Sequence, residues 1–364
     1  MAWAERQFSK GKINRAGHDL VTLAKDHPAR EIAIQIVDNW RSCHAYPLQI
    51  IKMTLFNRAR NINPRALIAQ RLKRRPSIEI KLRDNPTMQL SQMQDIGGCR
   101  AVLQNVSEVK KLFSKYKEYH IKSPKDRSSW DGSEDFDYIR RPKEDGYRSV
   151  HLIFRFQSAS PDRAVFNGQR IEIQIRSKLQ HVWATAVETA QVFTGQALKS
   201  KVKNASQDWL RFFALTSSAF AHRERSPVVP GTPSDRNVLL TELEEIVNRA
   251  NIMPSLLGWN NAIHFLEDAD IGSAHQFLLI LDPNKGNLRV TPFSKESLAV
   301  AQREYERAEK ETENDPAIQV VLVAVESVDA LRRAYPRARN NAIATLHGNI
   351  ARKGGREHFA VAIH

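Results

Sequence analysis

The stretch RIEIQIRSKLQHVWA, residues 170–184, decides how this chain is read. Its first seven residues alternate. Ile171, Ile173 and Ile175 share one side of an extended strand, and Glu172, Gln174 and Arg176 share the other. The isoleucines ask for a core beneath them. A carboxylate, an amide and a guanidinium in one row above them make either a solvated sheet face or a polar site. From Leu179 the spacing turns helical, as LQHVWATAVETAQVF (179–193). A strand with one polar face that runs straight into a helix points to an α+β architecture.

Working outward, SVHLIFRF (149–156) alternates in the same way and sets His151 on the polar side. CRAVL (99–103) has the β-branched, apolar look of a buried strand, and VSEVKKLFSKYK (106–117) follows at helical spacing. Residues 14–57 read as helical, with Ile32, Ile34, Ile36, Val37 and Trp40 as an apolar face, and 65–84 as a short helix and turn. The polar, Gly/Ser-rich stretch 123–137 reads as a loop.

Three segments raise the polar row from a surface to a candidate site. RLKRRPSIEIKLR (71–83) sets Arg71, Lys73, Arg74, Arg75, Lys81 and Arg83 against Glu79 alone. Such a cluster repels itself unless water or a polyanion neutralises it, and arginine offers bidentate contacts to phosphate. MQDIGGCRAV (93–102) places Asp95 before a Gly-Gly turn and Arg100 just inside the strand. A carboxylate at a strand entrance suits Mg²⁺, which takes one or two carboxylates together with phosphate oxygens and water. DYIRRPKEDGYRSVH (137–151) brings Lys143, a turn at Gly146 and Tyr147 up to the strand of His151. There the tyrosine ring is available to stack on a base, and the cations to meet phosphate.

The whole chain has 364 residues, 41% hydrophobic and 26% charged, and a net charge of 55 − 40 = +15. That is the composition of a soluble globular protein with an anionic partner. No apolar run approaches a membrane span, and MAWAERQFSKGK at the start has no signal-peptide core. Cys43 and Cys99 stand apart with no CxxC, which fits a cytoplasmic protein without disulfides or cysteine-bound zinc. The charge is uneven: residues 1–236 hold 41 basic and 23 acidic side chains (net +18), residues 237–336 hold 9 and 16 (net −7), and 337–364 hold 5 and 1. SPVVPGTPSDR (226–236) lies between the first two blocks and reads as a linker. The expected domains are therefore 1–225, an acidic α+β module over 237–336, and a basic tail over 337–364. In the module, Thr241 and Glu244 have capping-box spacing. HQFLLILDPNKGNLRVTPF (275–293) reads as a hairpin turning at 283–286, followed by a helix (295–313), a strand (317–325) and a short helix (328–335).

Taken in order, RxKxxxSIxxKL, DIGGxR, PKxxGYxSxH and ExQIRxxxQHxWA resemble the synthetase domain of RelA/SpoT-type alarmone enzymes, over about residues 45–215. The resemblance implies a nucleotidyltransferase-like fold, a mixed sheet flanked by helices. It also implies transfer of the β,γ-pyrophosphate of ATP to a ribose 3′-hydroxyl. It casts Asp95 and Glu172 as the Mg²⁺ carboxylates, with Glu172 also the general base. Arg71, Lys73, Lys81 and Arg100 become ATP contacts, and Tyr147 the residue that stacks on the acceptor base. Lys143, His151, Gln174 and His181 line the acceptor site. The hydrolase that precedes the synthetase in bifunctional members has no counterpart here, because His18-Asp19 is a lone pair on a helix surface. The layout is most similar to fused toxin–antitoxin members of the CapRel type. These modify the 3′ end of tRNA in anti-phage defence and are held inactive by the C-terminal domain until a phage protein is sensed. The charge of residues 1–236 favours tRNA as acceptor. The alternative is an alarmone synthetase acting on GDP or GTP, and a third reading is a catalytically dead RNA-binding protein on the same fold. The carboxylate pair Asp95 and Glu172 argues against that last reading.

Overall fold

The computed structural model describes residues 3–122, 129–130, 136–197, 203–250, 252–253, 256, 274–282, 287–312, 315 and 318–324. The turn expected at 283–286, the helix at 328–335, the tail and most of the loop at 123–137 lie outside these residues. The described residues fall into two compact units: Met1–Arg141 with Arg148–Lys178, and Pro142–Tyr147 with Leu179–His364. This division does not follow the Pro-rich stretch 226–236.

The first unit opens with helices α1 (Lys10–Thr22), α2 (Pro28–Ser42) and α3 (Ala45–Arg60). Next come strand β1 (Leu67–Leu72), α4 (Arg75–Asp84), β2 (Gly97–Leu103), α5 (Val106–Lys122) and β3 (Ser129–Trp130). The unit closes with β4 (Val150–Arg155), the single turn α6 (Pro161–Ala164) and β5 (Arg170–Ser177). The strands form one mixed sheet in the order β1-β2-β5-β4-β3, with β2 and β5 parallel and every other pair antiparallel. Ile171, Ile173 and Ile175 are buried with Cys99, Ala101, Val150 and Leu152 against α3 and α5, as the alternation requires. A second core joins Ile13 and Leu20 of α1, Val37 and Trp40 of α2, and Ile78 and Leu82 of α4 to Leu90, Met93 and Ile96. Arg30 ties this core together, reaching Glu79 at 3.0 Å and the carbonyls of Leu20 and Leu23.

Several expectations change. Residues 65–84 are a strand followed by a helix: β1 is an edge strand paired to β2, and Pro76 sits in the first turn of α4, where its missing N–H costs no bond. Gly97 and Gly98 are the first residues of β2 and form no turn. A side chain on Gly97 would meet Ile171 Cδ1 at 2.5 Å, so close strand packing demands a glycine there. On α2 the inward residues are Ala33, Val37 and Trp40, whereas Ile32 is 61% exposed. His18 and Asp19 lie on α1, with His18 exposed.

In the second unit, α7 (Lys178–Ala197) follows β5 without a loop, and α8 (Lys203–Glu224) and α9 (Arg236–Arg249) come next. Asp235 caps α9 by accepting from Asn237 N and Val238 N, so Thr241 lies inside the helix and caps nothing. Strands β6 (Gln276–Asp282), β7 (Asn287–Phe293) and β8 (Gln319–Ala324) form an antiparallel sheet in the order β7-β6-β8, with α10 (Leu298–Glu311) packed on it. Phe277 and Leu279 of β6 share one core with Trp183, Phe212, Phe213 and Phe220 of α7 and α8 and with Leu239, Leu243 and Ile246 of α9. The Pro-rich stretch is fastened to α8. Val229 is fully buried and its N–H donates to Ser218 Oγ at 2.9 Å, and Arg211 donates to the carbonyl of Gly231 at 2.7 Å.

Candidate functional site

Strand register gathers one polar row on the sheet face opposite α3 and α5. Gly98 stands beside Glu172, Arg100 beside Gln174, and His151 beside Gln174 from the other flank. Arg71 of β1 pairs with Gly98 and so belongs to the same face, exposed on the edge strand.

Glu172 is held from both sides. His151 Nδ1 lies 2.8 Å from Oε1, and Gln174 Nε2 donates to Oε2 at 2.8 Å. The amide oxygen of Gln174 in turn accepts from Arg176 Nη2 at 3.0 Å and from Arg100 Nε at 3.4 Å. Two guanidinium groups therefore fix the orientation of the amide, and the amide fixes the carboxylate. Burial pushes the Glu172 carboxyl upward, but the bonds and charge of His151 and the Gln174 bond outweigh it, so the group sits below its ordinary range.

Asp95 is the second carboxylate. Lys73 Nζ meets its Oδ2 at 2.8 Å and Lys81 Nζ its Oδ1 at 2.8 Å. Burial raises its pKa, and the two ammonium groups together reverse that and hold it ionised. The fold sets this cluster deliberately in place. Lys73 N donates to Ile96 O at 2.7 Å, Arg41 Nε donates to Lys73 O at 2.8 Å, and Lys81 projects from α4, which Glu79 binds to Arg30. Asp95 and Glu172 are near enough for the charge of one to raise the pKa of the other. Among the described residues no group of three or more His, Cys, Asp or Glu side chains could hold a metal, so any ion here would rest on this pair and on substrate oxygens.

The remaining expected residues lie in the second unit. Tyr147 packs edge-on to Trp183 (centroids 6.5 Å apart), and Lys143 Nζ lies 5.5 Å from the tyrosine ring centroid. Trp183 Nε1 donates to Phe213 O at 2.8 Å, and Ser217 Oγ donates to Gly146 O at 2.6 Å. Gly146 has φ +96, and a side chain there would lie 2.7 Å from the Trp183 ring, so glycine alone suits this turn. His181 sits in the first turn of α7. Arg176 was legible as part of the polar face but not as a hub. Its role emerges only when register brings Arg100 to the amide that Arg176, two residues along the same strand, already holds.

Comparison with known proteins bears on the same segment. Residues 70–194 match the family model described as the region found in RelA / SpoT proteins. This stretch is similar to that region. It runs from the last residues of β1 through β2, β4 and β5 and includes both carboxylate clusters. Over 157 residues the chain is 29% identical to GTP pyrophosphokinase YjbM of Bacillus subtilis, a match spanning 41% of this chain and 67% of that protein. Among solved structures, small alarmone synthetase 2 of Bacillus subtilis is similar at 22% identity and TM-score 0.39, covering 51% of this chain and 92% of the other. Small alarmone synthetase 1 of the same organism, bound to its product pppGpp, is similar at 20% identity and TM-score 0.41, covering 51% and 93%. No helix among the described residues is long and apolar enough to cross a membrane.

Proposed function

We propose that the RelA/SpoT-type region makes this chain an ATP-dependent pyrophosphokinase that moves the β,γ-pyrophosphate of ATP to the 3′-hydroxyl of GDP or GTP. The observation that carries the reading is the pair of ionised, positioned carboxylates, Asp95 just ahead of β2 and Glu172 on β5, each held by basic or amide partners. Glu172 accepts the proton of the attacking hydroxyl, with His151 and Gln174 holding its two oxygens in register. Lys73, Lys81, Arg71 and Arg100 take the phosphates and the adenine side of ATP. Positioning and charge stabilisation supply most of the catalysis in such transfers, so a row of fixed cations suits the chemistry. The donor set fits Mg²⁺: Asp95 and Glu172 would hold it, and when bound it neutralises charge on the phosphate oxygens. Tyr147, Lys143 and His181 serve the acceptor nucleotide. The guanosine acceptor draws on the relative named GTP pyrophosphokinase.

A second reading is favoured by the net charge of +18 over residues 1–236. In it the acceptor is the 3′ end of tRNA, and the acidic module restrains the enzyme as a toxin–antitoxin fusion until a phage protein is sensed. One experiment separates the two: the full chain with γ-labelled ATP and Mg²⁺ is offered GDP plus GTP in one tube and deacylated tRNA in another. Parallel reactions use Arg211→Ala, which removes the Glu242 clamp between α8 and α9. Label on guanosine nucleotides supports the first reading and label on tRNA the second. Absence of label from both tubes, with either protein, sinks pyrophosphoryl transfer to these acceptors. A rate unchanged by Arg211→Ala counts against restraint by the module.

A further inference from the structure

The two carboxylates of the candidate site are held by different kinds of donor. On Glu172 the partners are the His151 ring and the amide of Gln174, which carries no charge. On Asp95 both partners are ammonium groups: Lys73 Nζ lies 2.8 Å from Oδ2 and Lys81 Nζ 2.8 Å from Oδ1. Each oxygen of Asp95 therefore already carries a cation at contact distance. A divalent cation approaching either oxygen meets like charge beside it, and the Asp95 side chain is only 14% exposed, so water screens the repulsion weakly. Asp95 becomes a good metal ligand only when one ammonium group leaves.

The two lysines differ in their freedom to leave. Lys73 is buried, and its backbone is fixed on both sides: its N–H donates to Ile96 O at 2.7 Å, and its carbonyl accepts from Arg41 Nε at 2.8 Å. The Lys81 side chain is 33% exposed. It projects from the last turn of α4, a helix anchored by buried Ile78 and Leu82 and by the Glu79–Arg30 ion pair. An anchored helix and a flexible four-carbon stem let this ammonium group change partners without moving the backbone.

We propose that Lys81 is an exchangeable counter-ion, which occupies Asp95 Oδ1 until a polyphosphate takes its ammonium group, while Lys73 stays on Oδ2. This rests on the pyrophosphokinase reading, in which Lys81 meets the phosphates of ATP. A cation alone must expel Lys81 into water, and a nucleotide alone must leave Asp95 with one ammonium partner instead of two. Together each removes the other's cost, so nucleotide and divalent cation strengthen one another's binding by the same factor.

The test is Lys81→Gln in the full chain, read by binding and not by turnover. Mn²⁺ is titrated without nucleotide and followed by the EPR signal of the free ion. Calorimetry with Mg²⁺ present measures α,β-methylene ATP, which cannot break at the transferred linkage. Loss of the counter-ion should tighten Mn²⁺ about tenfold, and loss of the phosphate contact should weaken the nucleotide about tenfold. These shifts have opposite signs, which neither a structural lysine nor a simple phosphate contact produces. Lys81→Met, uncharged and of similar length, carries the same expectation, and adding Asp95→Asn to either variant should abolish the Mn²⁺ gain. The exchange is overturned if neither variant binds Mn²⁺ more tightly than the native chain, if the gain survives Asp95→Asn, or if the nucleotide keeps its affinity. A native chain that binds no nucleotide sinks the pyrophosphokinase reading and the exchange with it. Nucleotide binding without any Mn²⁺ gain in the variants sinks the exchange alone.

Discussion

The two sheets of this protein treat their faces differently. The five-stranded sheet buries Ile171, Ile173 and Ile175 on one side and presents Glu172, Gln174 and Arg100 on the other. The three-stranded sheet buries both sides: Phe277 and Leu279 enter the core of α7, α8 and α9, while Leu278, Val320 and Leu322 pack with Phe293 and Ala301. A sheet with one open face has room for a site. One covered on both faces is a structural layer that gains its stability from burial. On the proposed function, chemistry belongs to the first sheet and cohesion to the second, and substitutions on the two should fail in different ways.

The sharpest break of that contrast is Glu172→Gln. It keeps the shape and the Gln174 neighbour but removes the proposed proton acceptor, so pyrophosphoryl transfer should fall by about 10²–10⁴ with the melting temperature nearly unchanged. A matching loss of stability would mean that the row is structural. Phe277→Ala should do the opposite. It should cost about 3–5 kcal/mol in urea unfolding, because an aromatic ring leaves a core shared by three helices.

Next in size is a pH effect within the first sheet's own foundation. His44 is buried beside Gly97, its Nδ1 hydrogen-bonded to Trp40 O at 2.8 Å, and burial lowers its pKa from 6.5 to about 4. The neutral ring is the folded form. Its contribution is therefore complete above pH 6.5 and is lost as the pH falls towards 4, about 3 kcal/mol in all. Thermal melts across that window should steepen for the native chain and flatten for His44→Gln. Asp95 and Glu172 carry the same sign from ordinary values of 3.8 and 4.5, so their losses come only at lower pH. The smallest effect distinguishes two adjacent glycines. Gly97→Ala should destabilise by about 1–3 kcal/mol through its clash with Ile171. Gly98→Ala has open space, its nearest neighbour being Glu172 O at 3.9 Å, and should fold normally.

The polar row was legible because period-2 alternation is local: RIEIQIR and SVHLIFRF reveal their faces without knowledge of any partner strand. The pairing of His151 with Glu172 and the convergence of Arg100 and Arg176 on Gln174 were not, since register is set by strands far apart in the chain. β1 read as helix because Leu67–Leu72 has no alternation of burial to show, being exposed along an edge. Thr241 mimicked a cap that Asp235 actually provides, six residues earlier. In the second unit, FLLIL announced burial but not that alternate residues would serve two separate cores.

The stretch 226–235 has one more consequence. Its prolines and glycine give it the composition of a hinge at which a protease would divide the chain. Enzymatic cleavage, however, needs backbone that can lift into an extended form, and here Val229 and Gly231 are anchored to α8 by hydrogen bonds and a buried side chain. Limited digestion should therefore spare this stretch in the native chain and cut it only at the rate at which α8 and its neighbours open. The half-life of that bond under protease becomes a direct clock for the loosening of the second unit.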